Sequence, residues 1–159
     1  LTFKVFAMGS ETLNSPRSSW VKQFSIFADN KVGRLNDIVG MLSAKEIHIM
    51  SLSAVDTTDS SILRIIVDYW EEAYKFFREH GFHFTLSDVL VAELNSEQDI
   101  RKVTCALVQA EINIHYTYPL LMRPNGKCGL VIRLEDNELA TDVLNQSGVK
   151  TLTHRDLAR

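Results

Sequence analysis

The apolar positions of this chain repeat themselves at a nearly constant offset. Leu35 and Ile100, Ile38 and Val103, Leu42 and Leu107, Ile47 and Ile112, and Ile49 and Ile114 are each 65 residues apart. Further along, Leu63 and Leu130, Ile65 and Ile132, Val67 and Leu134, Ala73 and Ala140, and Gly81 and Gly148 are each 67 apart. The register therefore survives across several elements and needs only two extra residues in one turn of the second copy. A chain with that property folds as two similar supersecondary units laid end to end.

Within the first unit, Val21, Phe24, Ile26 and Phe27 mark a strand, and Leu35, Ile38, Val39 and Leu42 follow the spacing of a one-sided helix. Ile47, Ile49, Leu52 and Val55 alternate, a polar turn occupies 56–61, and a second alternating run covers 62–68. Residues 71–80 make a helix with Ala73, Phe76 and Phe77 inward, ended by Gly81, before Phe82 and Phe84 open a last strand. The second unit repeats the order, with a turn at Arg123-Pro124-Asn125-Gly126 and a final helix ended by Gly148. Strand, helix, strand, strand, helix, strand is the ferredoxin-like βαββαβ unit, so the fold class is α+β: two tandem units, antiparallel sheets, helices on one face. The units are assigned to 20–87 and 88–155, with 1–19 a polar N-terminal extension. No Gly or Pro separates Phe82 from Leu94, so one strand runs directly into the next unit and the junction is a natural place for a site. Ile62, Arg64 and Ile66 face away from the helices, and an apolar patch there points to sheet-to-sheet packing or dimerisation.

Several function classes fall away on composition. The net charge is −3 with cations scattered singly, which argues against nucleic-acid binding. No run approaches the roughly 20 apolar residues of a membrane span, and no leader-like segment precedes the fold, which points to the cytoplasm. His48, His80, His83, His115 and His154 have no metal-ligand spacing, and Cys105 and Cys128 lack a CxxC neighbour and read as reduced, buried structural thiols. Ser51 and Ser53 have no partnered base, and neither a nucleophile elbow nor a phosphate loop is present. The chain reads as a non-enzyme without cofactor or metal.

The most informative stretch is Ala28-Asp29-Asn30-Lys31-Val32-Gly33-Arg34-Leu35. A strand ends, a tight loop carries one glycine, and a helix begins, so the unpaired N–H groups of its first turn suit an anion. Gly33 either sets a turn conformation or leaves room for a ligand to approach. The strand VKQFSIF, the loop ADNKVGRL, the helix through Leu42 and the strand start EIHIMSLS together resemble the ACT domain family, over about 21–153, twice. The likeness implies a dimeric regulatory module binding an amino acid or small carboxylate between the loop of one unit and the second strand of another, or acting on a partner enzyme as acetolactate synthase small subunits do. Carried over position by position, it implies Asp29, Asn30, Val32, Gly33, Arg34 and Leu35 on the loop, with Ile114, His115 and Tyr116 on the strand; His115 and Tyr116 also fit ordinary surface or core roles. In the second unit Gln98 stands where Gly33 would be, flanked by Glu97 and Asp99, so one competent loop per chain is expected.

Overall fold

The computed structural model describes residues 20–29, 31–122 and 124–158; the extension 1–19 lies outside them. The order is β1 (Val21–Ala28), α1 (Arg34–Ala44), β2 (Ile49–Asp56), β3 (Ser61–Val67), α2 (Trp70–Glu79), β4 (His83–Leu94), α3 (Gln98–Gln109), β5 (Ile114–Pro119), a 3₁₀ turn, β6 (Cys128–Leu134), α4 (Asn137–Gln146), β7 (Thr151–Leu152) and α5 (His154–Leu157). All strand pairs are antiparallel.

Both ferredoxin-like units share β4. Its first half pairs with β1, from Phe27↔His83 to Val21↔Val89, and its second half pairs with β6 and β7. The result is one seven-stranded sheet in the order β2-β3-β1-β4-β6-β5, with β7 beside β4. Gly81 and Gly148 follow their helices at φ 70° and 79°, the left-handed conformation that stops a helix.

Each unit has its own helix-side core. In the first, Phe24, Ile26, Ile65 and Val67 meet Ile38, Leu42, Ala73 and Phe77, with the Phe24 and Phe77 rings edge to face at 5.2 Å. In the second, Leu90, Ala92, Ile132 and Leu134 meet Val103, Leu107, Ala140 and Leu144. The helical stripes are narrower than their spacing suggests. Leu35, Ile100, Val108 and Leu139 are exposed, because a helix covering one sheet face buries only the side turned to the strands. Cys105 and Cys128 are free but exposed, not buried; Cys105 turns outward between the inward Val103 and Ala106, and Cys128 is the first residue of β6.

A third core has no counterpart in a single unit. Val21, Met50, Ile66 and Val89 pack with Tyr118, Leu120, Val131, Leu152 and Leu157. These are the helix-free faces of the two halves, so the sheet folds over on itself and the patch around Ile66 is buried by sheet-to-sheet packing inside the chain. Gly129 belongs to this contact, since a Cβ there would lie 2.3 Å from Leu120 Cδ1. At one end the outer strands meet: Ser51 Oγ donates to Pro119 O at 2.6 Å, and Leu121 N–H donates to Met50 O at 2.9 Å.

The C-terminal turn fastens the halves from the other side. His154 Nδ1 accepts from Lys22 N–H at 3.3 Å, while Nε2 faces the carbonyls of Val67 and Asp68 at 3.0 and 3.1 Å. Only the neutral ring with its proton on Nε2 satisfies all three, and burial holds the pKa below the ordinary 6.5. As pH falls below 6.5 the unfolded chain takes up a proton that the folded chain refuses, so this contribution to stability is complete above 6.5 and is lost progressively below it. Thermal midpoints measured from pH 7.5 down to 5 should decline for the wild type and decline less steeply for His154→Gln; an equal slope in both would remove His154 from the account.

Candidate functional site

The loop after β1 is built by its own backbone. Lys31 N–H donates to Asp29 O at 2.8 Å, Arg34 N–H to Lys31 O at 3.2 Å, and Asp37 N–H to Gly33 O at 2.9 Å. Gly33 is the N-cap of α1 at φ 86°, ψ −8°, with no side-chain cap. A Cβ there would meet nothing within 4 Å, so within the chain the glycine is required for its conformation and not for space. The N–H groups of Leu35 and Asn36 have no acceptor among the described residues. Val32 is 108% exposed, and the ion pair of Lys31 Nζ with Asp29 Oδ2, at 3.7 Å, is solvated and weak. Asn30 lies outside the described residues.

The second loop has the same ancestry in sequence and the opposite chemistry. Adding 65 to Arg34 gives Asp99, whose Oδ2 accepts from Asn95 N–H at 2.8 Å and whose Oδ1 takes Lys102 Nζ at 3.0 Å. The hydrogen bond from Lys102 and then that from Asn95 hold this carboxyl below its usual range. The N–H of Ile100, the counterpart of Leu35, is already taken by Glu97 O at 3.1 Å, and a carboxylate held by the loop backbone and Lys102 stands at position 99. The first loop carries a cation there instead.

The strand residues divide. Ile114 leans on the second core and His115 is exposed. Tyr116 is turned inward by the irregular register between Ile114 and Tyr116. Its hydroxyl accepts from Gln23 Nε2 at 2.7 Å, its ring lies under the Arg64 guanidinium at 3.7 Å, and Tyr118 beside it donates to Gln23 Oε1. Burial pushes the Tyr118 hydroxyl well above its ordinary pKa. Gln23 precedes Asp29 by six strand positions, about 20 Å, so Tyr116 faces the middle of β1 and not the loop at its end. Gln23, Ser51 and Arg64 are the residues that sequence reasoning missed at this contact. The one signal was Arg64 interrupting an apolar run.

A cavity of about 680 Å³ lies elsewhere, between β4 and the start of α4, with Asp88, Arg133, Glu135, Asp136 and Asn137 in its wall. Its carboxylates outnumber its one arginine, which suits no anion. Among the described residues no group of three or more His, Cys, Asp or Glu is placed to hold a metal, and no helix is long and apolar enough to cross a membrane.

A family model described as an ACT domain pair matches residues 19–159. The chain belongs to this family. A solved protein of Bacteroides thetaiotaomicron is 30% identical to this ACT pair, covering 89% of this chain and 97% of that one with a TM-score of 0.78. The regulatory subunit of aspartate kinase from Thermus thermophilus shares the fold at 14% identity, 81% and 93% coverage and a TM-score of 0.58. The aspartokinase alpha and beta subunits do so at 16%, 80% and 91%, and 0.53. Comparison with curated proteins returns no match.

Gly33→Ala should cost about 1 kcal/mol through its left-handed backbone, or a midpoint drop of about 2–4 °C, with an unchanged far-UV spectrum. A loss several times larger would mean that Gly33 also makes room for something.

Proposed function

We propose that this ACT domain pair is a non-catalytic regulatory protein that binds a free amino acid or similar small carboxylate at the start of α1. The observation that carries the reading is the contrast between the two loops: among the described residues the N–H groups of Leu35 and Asn36 have no acceptor beside Arg34, whereas in the second unit Ile100 N–H donates to Glu97 O and the acidic Asp99 stands at the position of Arg34. Open N–H donors, the positive end of an 11-residue helix and a neighbouring guanidinium all favour a carboxylate.

Among the described residues the loop has one wall, and we assign the second to another copy of the chain. Val32 and Leu35 are exposed apolar side chains beside the loop, a surface suited to a homodimer contact. His115 is an exposed β5 side chain that such a partner offers, and Asp29 and Val32 rim the loop. The fold shared with regulatory subunits of aspartate kinase supports a second reading, in which the same surface docks on a biosynthetic enzyme.

A ligand present at about 100 times its dissociation constant adds about 2.7 kcal/mol, a midpoint rise of roughly 5–10 °C for a chain of this size. A thermal-shift panel of the twenty amino acids should contain at least one such rise, abolished by Gly33→Asp. A flat panel together with a monomeric mass in solution would overturn the reading.

A further inference from the structure

The open face of the first unit carries a second arrangement that the loop does not use. Strand register places Ser53, Arg64 and Ser25 side by side across β2, β3 and β1. Arg64 stacks on the Tyr116 ring at 3.7 Å. Among the described residues its buried Nε has no acceptor, its two Nη atoms have no partner, and it forms no salt bridge. Half-buried guanidinium groups are ordinarily paired, because the desolvation of an unpaired charge is not repaid by a ring face alone. Ser25, almost wholly buried, spends only its oxygen lone pairs on Gln23 Nε2 at 3.2 Å, which leaves its proton available. Ser53, only half-buried, is the second hydroxyl of this row.

One strand step further along the same face, about 6.6 Å away, the register places Val55, Ile62 and Phe27 in a row. Phe27 is 44% exposed and Val55 39%. The folded-over second half covers Val21, Ile66 and Met50 but stops at Tyr116, so this apolar row is left as a shelf beside the arginine.

We infer that Arg64, Ser53 and Ser25 form the head of a binding site within a single chain for an organic carboxylate with a compact apolar body, its carboxylate on the Arg64 Nη atoms and its body on Phe27, Ile62 and Val55. Arg is suited to the head because its planar fork meets both carboxylate oxygens. The site lies on the helix-free face, apart from the α1 N-terminus, and stands whether or not the loop binds anything.

The probe is 4-methylpentanoate, titrated into the purified full chain by calorimetry, with its neutral amide, acetate and inorganic phosphate as comparisons. The acid binds, the amide does not, and acetate and phosphate bind at least tenfold more weakly for want of the shelf. Arg64→Gln lowers the affinity for the acid roughly 10- to 100-fold, the worth of a charge-assisted pair, Arg64→Lys by less, and Gly33→Asp leaves it within about twofold. Arg64→Met does not lower the midpoint of the ligand-free protein, since it removes an unpaired charge. No binding of the acid, unchanged binding in Arg64→Gln, or phosphate binding as tightly as the acid overturns the assignment. If only Gly33→Asp weakens the acid, the loop reading survives and this one falls.

Discussion

Everything in this molecule hangs on a strand that serves two sheets. β4 is 12 residues long, about twice a common strand, and it is paired along its whole length, first with β1 and then with β6 and β7. Because side chains alternate along it, Leu86, Leu90 and Ala92 turn to the helix-side cores while Val89 and Val91 turn to the central one. With both halves bound to the same backbone, their helix-free faces have only each other to pack against. The central core, the Ser51 to Pro119 bond and the His154 anchor all follow from that arrangement.

The burial of the two open faces decides which positions remain for function. Met50 and Ser51, which correspond to His115 and Tyr116 by the 65-residue offset, are taken up by the join to β5. Tyr116 is taken up by Gln23 and Arg64. The two ends of the first unit therefore differ: one is welded to the second unit, and the other, with the Gly33 loop, Val32 and Phe27, faces solvent. Asymmetry of surface thus grows out of near-symmetry of fold.

Much of the architecture was legible in the sequence because it rests on periodicities that any buried face must obey. The 65- and 67-residue offsets, the glycines after α2 and α4, and the uninterrupted run from Phe82 to Leu94 each have a local cause that one chain carries in full. What was not legible depends on faces meeting at long range. Gln23 sits among apolar neighbours in β1, and nothing in VKQFSIF says that two tyrosines nearly a hundred residues later will take both ends of its amide. The exposure of Leu35, Ile100 and the two cysteines was missed for a related reason, since helical spacing locates a stripe but not its width. At the loops, the offset placed Gln98 opposite Gly33, yet the carboxylate folding back onto Asn95 is a property of side-chain geometry.

The shared strand also limits how such a chain can vary. A slip of one residue in β4 would exchange its two faces in both halves at once, turning Leu90 and Ala92 out of one core and Val89 and Val91 out of another. Insertions are therefore admissible in the turn between β5 and β6, which accommodates the two extra residues, but not in β4. The pair is a single heritable unit, in which the loops can diverge because the seam between them cannot.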